Sequence, residues 1–260
     1  MRIIIIGSGV VGFATGDGFQ RFGHDVLFYD IDSDRLEELR LGGFHTTDRL
    51  SGENADVFFI CTPEDIVADV VYNLPYTDNL VVIRSSVLPG TTKMLREKTR
   101  GGHIAVNPEF LKESTAIGDF LNPYRIVYNA CCQQHQELLE KLYQPFQAPM
   151  VCLDDPTVAE MVKYAANLYL ATSVSYWNEI DNLCLKLDIN SHVVGKIAAM
   201  DPKIPSHGAS QHGKPFGGRC LPRNVHQFIA FCEELGYDPI LLKAVEQVNE
   251  NKIAMQGGKR

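Results

Sequence analysis

The chain has 260 residues, 45% of them hydrophobic and 22% charged, with a formal net charge of −8. That allows two modest domains or one large one, with a sizeable core, and with no basic cluster it argues against a general nucleic-acid binder. The apolar opening at residues 1–6 ends at once in Gly7-Ser8-Gly9, and no apolar run approaches a bilayer span, so neither a signal peptide nor a membrane helix is expected.

Residues 2–6 read as a β-branched strand buried on both faces, followed by Gly7-x-Gly9-x-x-Gly12 and a helix to about Phe22. A second strand at residues 25–29 ends in Asp30. Strand, glycine turn, helix, second strand and acid in this order are the fingerprint of a Rossmann-type dinucleotide fold. The glycines allow close pyrophosphate approach at the helix start, and the acid takes the ribose hydroxyls. Gly7, Gly9, Val10, Val11, Gly12 and Asp30 are therefore the candidate cofactor residues. A carboxylate at Asp30 repels a 2′-phosphate by up to about 4 kcal/mol in a partly screened site, which selects NAD over NADP. Arg35 is a second candidate at the ribose.

The alternation continues. A strand at 56–61 closes in Thr62-Pro63, one at 80–83 in Arg84-Ser85-Ser86, and one at 103–106 in Asn107-Pro108-Glu109-Phe110; a strand at 125–128 precedes a polar helix from about Gln133. This predicts an α/β fold, a doubly wound parallel sheet over residues 1–155, with Thr62, Ser86 and Glu109 at the carboxyl strand ends where ligands bind. From about residue 156 the pattern turns helical. Thr157 is a candidate cap for an unbroken helix to about Leu187, followed by helices near 191–199, 223–235 and 239–256, an all-α domain over 156–260. Lys163 and Asn167 are i and i+4 on the long helix; alone, such a pair reads as a solvated patch.

The seven cysteines lie mostly in apolar runs, which predicts reduced thiols and a cytoplasmic protein. Cys131 and Cys132 are adjacent, and without Cys-x-x-Cys or His-x₃-His spacing no metal is expected. In Pro215-Phe216-Gly217-Gly218-Arg219-Cys220-Leu221-Pro222-Arg223-Asn224 the glycines free the backbone and Pro222 suits a first helical turn. Cys220 then stands at a loop-to-helix junction beside Arg219 and Arg223. It is either an activated thiol or a buried structural one.

Together, Gly7-Ser-Gly-Val-Val-Gly12, Arg84-Ser-Ser-Val-Leu-Pro-Gly-Thr-Thr92, Asn107-Pro-Glu-Phe-Leu-Lys-Glu-Ser-Thr-Ala-Ile117, Lys163-Tyr-Ala-Ala-Asn167 and Phe216-Gly-Gly-Arg-Cys-Leu-Pro222 resemble the UDP-glucose/GDP-mannose dehydrogenase family over essentially the whole chain. The resemblance implies oxidation of a nucleotide sugar's primary alcohol to a carboxylate, with two NAD per turnover and a cysteine-bound intermediate. It makes Cys220 the nucleophile and Lys163 and Asn167 the groups facing the reacting oxygen. Glu109 becomes a candidate acid/base, Ser86 a water-organising position, and Glu113 a residue near substrate and cofactor. Asp30, Arg35 and Thr62 fall in its cofactor contacts, and Phe110, Leu111, Gly217 and Arg219 near its substrate. Lys203 takes roughly the place of an arginine that reaches a neighbouring subunit, which implies a homodimer through the helical domain.

Three departures accompany the likeness. Asn224 stands where the family usually has an aspartate, and it carries no proton. Arg219 replaces a serine. Family members continue into a further α/β domain before which this chain ends, pointing to truncation, a partner chain or a smaller substrate. The expected activity is NAD-dependent alcohol-to-acid oxidation of a sugar-like substrate. The alternatives are a dehydrogenase stopping after two electrons and a non-catalytic NAD-binding scaffold or regulatory subunit.

Overall fold

Four consecutive isoleucines make up most of β1 (Arg2–Ile6), and all four are buried, as β-branched residues are in a strand covered on both faces. The computed structural model describes residues 1–74, 79–99, 102–218 and 220–257. After β1 come α1 (Val10–Arg21), β2 (Asp25–Tyr29), α2 (Ser33–Leu41), β3 (His45–Thr47), β4 (Val57–Ile60), α3 (Val67–Asn73), β5 (Leu80–Ile83), α4 (Thr91–Lys98) and β6 (Ile104–Val106). The six strands form one parallel sheet in the order β3-β2-β1-β4-β5-β6. The order reverses between β1 and β4, which opens the crevice where such sheets take ligands.

Next follow α5 (Ala116–Leu121), β7 (Ile126–Tyr128), α6 (Gln133–Tyr143) and β8 (Met150–Cys152). The strand expected at 125–128 does not extend the main sheet. As β7 it pairs with β8 in a separate two-stranded parallel sheet, joined to the end of β6 by an antiparallel bridge between Val106 and Asn129. Asn107 makes the switch. Its Oδ1 accepts from Arg84 at 2.5 Å and Tyr143 at 2.5 Å, and its Nδ2 donates to Val127 O at 2.7 Å. The buried Arg84 also donates to Thr15 Oγ1 at 2.8 Å, so the Arg84-Ser-Ser segment holds sheet to helix. Aromatic rings of Phe19, Phe28, Phe59, Phe120, Tyr143 and Phe146 fill one face of the core.

The helical part comprises α7 (Pro156–Lys186), α8 (Ser191–Ala198), α9 (Ser206–Gln211), α10 (Cys220–Glu234) and α11 (Ile240–Met255). Asp155, not Thr157, caps α7, accepting from Thr157 N at 2.8 Å. The chain divides into two compact units, Met1–Lys163 and Tyr164–Arg260, with α7 continuing from one into the other. In the second unit Tyr164 packs on Phe228 at 5.0 Å between ring centroids. Asn178 ties down the loop before α10 by accepting from Gly213 N and donating to Lys214 O, both at 2.8 Å. Helix α10 starts three residues earlier than expected, so Cys220 is its first residue rather than a loop residue before it.

Candidate active site

The glycine turn after β1 has little freedom to vary. Gly7 sits at φ +88, and a Cβ there would meet Cys61 O at 2.9 Å. A Cβ on Gly12 would lie 1.8 Å from Gly7 O, so only glycine lets α1 pack so close to the turn. Gly9 faces open space, and as N-cap of α1 it offers no side-chain cap. The first-turn N–H groups, Val10 and Val11 among them, therefore have no acceptor within the helix, and no acidic residue stands in that turn. This is a site for an anion.

Asp30 at the end of β2 is locked to the same turn. Its Oδ2 accepts from Ser8 N at 2.7 Å and Ser8 Oγ at 2.6 Å, and its Oδ1 from Asp32 N at 3.1 Å. Burial alone would raise the Asp30 carboxyl, but these hydrogen bonds, with one from Ile31, hold it below its ordinary value. Arg35 donates to Ser8 O at 2.9 Å and lies 5.2 Å over the Phe13 ring. Ser8 is thus the hinge pin of the pocket, a residue that motif spacing leaves as an unspecified x. Across the crevice, the buried Thr62 hydroxyl has no hydrogen-bond partner among the described residues. An open anion-accepting turn, an ionised carboxylate at the second strand and an orphaned hydroxyl fit a dinucleotide.

Glu109, just beyond β6, and Lys163 on α7 form a buried ion pair. Nζ donates to Oε1 at 2.8 Å, both side chains are 5% exposed, and Oε2 accepts from Leu111 N at 2.6 Å. Lys163 is not the solvated residue that helix spacing alone suggests. Phe110 lies beneath the pair, 5.6 Å from Nζ and 4.1 Å from the Arg125 guanidinium. One turn before Lys163, buried Glu160 accepts from Gly90 N at 2.6 Å and Thr92 N at 2.7 Å, so α7 caps α4 from outside that helix. An acid within the apolar run after Thr157 was the signal for this contact. Ser86 is half-buried after β5, and Glu113 is exposed at the head of a 3₁₀ turn.

In the second unit Asn167 Nδ2 donates to Asn224 Oδ1 at 2.7 Å, and both residues are buried. Asn249 clamps the segment before Cys220, accepting from Phe216 N at 2.7 Å and donating to Phe216 O at 3.1 Å. Gly217 is exposed, Gly218 takes φ +74, and Cys220 is exposed at the start of α10, so it is not a thiol packed into a core. Arg219 lies outside the described residues. Burial pushes Cys61 up to about 12 and also raises Cys232, so neither of these thiols is suited to attack.

Comparison with known proteins finds a family for both parts of the chain. Residues 43–147 match the NAD binding domain of the UDP-glucose/GDP-mannose dehydrogenase family, and residues 157–251 match its central domain. UDP-glucose 6-dehydrogenase YwqF of Bacillus subtilis is 31% identical over 98% of this chain and 67% of its own length. A UDP-glucose 6-dehydrogenase of Pseudomonas aeruginosa is 32% identical over 96% and 65%. The chain thus spans about two thirds of the length of these relatives. A UDP-glucose dehydrogenase from the archaeon Pyrobaculum islandicum superposes with a TM-score of 0.87 at 29% identity, covering 96% of this chain and 68% of that one. No helix among the described residues is long and apolar enough to cross a membrane. NAD is the cofactor of the first unit, and with both domain matches in order and the glycine turn built as it is, the chain belongs to the UDP-glucose/GDP-mannose dehydrogenase family.

Proposed function

We propose that the chain oxidises the primary alcohol of a nucleotide-sugar-like substrate to a carboxylate in two steps, through an intermediate on Cys220. The observation that carries this reading is the buried Lys163–Glu109 pair. Burying two charges costs several kcal/mol of desolvation per ion, and a hydrophobic pair of similar volume is often as stable, so a role in chemistry gives the pair its reason. Bound in the crevice, NAD supplies the hydride acceptor for both oxidations. The Lys163 ammonium stabilises the charge growing on the alcohol oxygen, and Glu109, 2.8 Å away, carries off the proton. The Cys220 thiolate adds to the aldehyde carbon and retains it between the two oxidations; water then cleaves the thioester, returning the thiol and releasing the acid. Asn167 is the second donor to the substrate oxygen, with Asn224 as its positioning residue. Since Asn224 carries no proton, Glu109 is the base for hydrolysis. Ser86, Glu113, Phe110, Leu111, Gly217 and Arg219 complete the substrate and cofactor contacts.

The engagement of Asn224 by Asn167 also supports a second reading, in which oxidation stops after two electrons or turnover is absent. Incubating the protein with NAD and a panel of UDP- and GDP-sugars decides between them. The main reading expects two NADH per substrate, and Cys220→Ser stops turnover before acid forms. One NADH per substrate, unaffected by Cys220→Ser, supports the two-electron reading; NAD binding with no NADH from any substrate supports the scaffold. A homodimer is proposed through α7, where Tyr169, Tyr176 and Leu183 recur exposed at a seven-residue spacing, and sedimentation of Tyr176→Glu tests it. The reduced-thiol composition supports a cytoplasmic setting.

A further inference from the structure

The first unit gathers sulfur and imidazole where the cofactor crevice is not. His103 enters at the amino end of β6, whereas the glycine turn and Thr62 leave the carboxyl ends of their strands. Cys131 and Cys132 follow β7, and His135 lies in the first turn of α6. The Val106–Asn129 bridge draws these segments together, and Arg96 secures them by donating to Ile104 O at 2.7 Å and Asn129 Oδ1 at 2.6 Å. One ligand atom each of His103, Cys131 and His135 lies within 4.8 Å of the other two. Cys131 Sγ stands 3.0 Å and Cys132 Sγ 3.4 Å from the same Nδ1 of His135. That nitrogen has one lone pair or one N–H, so it serves one of the two thiols at a time. The His103 ring meets that of His135 edge-on, with centroids 5.0 Å apart. In a tetrahedral zinc site, bonds of about 2.3 Å to sulfur and 2.05 Å to nitrogen set the two ligand atoms about 3.6 Å apart, so the Cys131–His135 pair at 3.0 Å needs to open by about 0.6 Å to seat the ion.

We infer that His103, Cys131 and His135 bind a soft divalent transition ion of the zinc class, which pins the start of β6 to the start of α6. Cys132 is exposed, its Sγ 3.4 Å from His135 Nδ1. Linear spacing argues against a metal because the ligands come from three segments that only the fold assembles.

The test is titration of the chelator-treated full chain with Co²⁺ alone and with Zn²⁺ alone. One equivalent of Co²⁺ should give a thiolate-to-cobalt charge-transfer band with tetrahedral visible absorption, and Zn²⁺ should displace it and raise the melting temperature. Cys131→Ser should abolish the band, and His103→Gln, a milder change should the first variant fold poorly, should weaken affinity at least about 10-fold, the lower bound for even an outer-shell partner. Cys220→Ser should leave band and affinity unchanged, which separates this site from the proposed nucleophile. Absence of the band, or its survival in both Cys131→Ser and His103→Gln, overturns the assignment.

Discussion

Each unit of the molecule holds a buried lysine–carboxylate pair, and the two differ in how many partners the described residues give them. In the helical unit Lys252 donates to Asp181 at 2.6 Å and to Asn182 at 3.0 Å, while the other oxygen of Asp181 accepts from Ser191 at 2.5 Å. In the first unit Lys163 has one acceptor among the described residues, Glu109. An ammonium has three donors, so Lys252 is nearly saturated while Lys163 keeps capacity in reserve. A saturated buried pair holds a fold together. One with donors to spare can take a further acceptor.

The largest effect expected from this contrast is on rate. Replacing Lys163→Met together with Glu109→Gln removes both charges, so neither is stranded in the interior. Turnover should fall about 10²–10⁴-fold, the usual cost of losing acid–base groups, while the melting temperature moves little. Equal losses of rate and stability would make the pair merely structural. Lys252→Met should do the reverse. It leaves Asp181 buried without its main partner, a change that costs about 3–5 kcal/mol in chemical denaturation, with NAD affinity unchanged.

Asp30 is a third case, since Ser8, Ile31 and Asp32 all donate to it and no lysine does among the described residues. Asp30→Asn should weaken NAD by about 1.5–3 kcal/mol, the worth of a charged hydrogen bond, as read by calorimetry. It should also narrow the preference over NADP. An unchanged preference would assign cofactor choice to Arg35.

What the sequence discloses tracks how local each constraint is. The glycine turn is legible because Gly7 and Gly12 are each required by backbone a few residues away, and β1, β2 and β5 stand where alternation predicts. The two-stranded sheet is not legible, because β7 and β8 are three residues each and their separation from the main sheet depends on Asn107 reaching Arg84, Tyr143 and Val127. The short α9 is missed for the same want of length. Lys163 stands out in its motif, but its partner 54 positions away leaves no periodic trace. Ser8 is invisible as a hub because its spacing relative to the glycines carries no chemical requirement until Asp30 is folded against it.

The smallest effect separates the two units by pH. Burial would raise Asp181, but Lys252 and Ser191 hold it below its ordinary value. Its contribution is therefore complete above the unfolded carboxylate pKa of about 3.9 and is lost as pH falls through the lower folded value. Glu160 behaves oppositely: burial raises it despite its hydrogen bonds to Thr92 and Gly90. Its contribution is complete below the unfolded pKa of about 4.3 and is lost as pH rises through the folded value. On acidification Glu160 thus gains stability first, and Asp181 gives it up at lower pH. Urea midpoints measured between about pH 3 and 7 should show Asp181→Asn flattening the acid limb and Glu160→Gln removing the gain that precedes it. The same slope in both variants would mean that acid unfolding is governed by the summed surface carboxylates, and that the two buried sites do not differ in the way their partners imply.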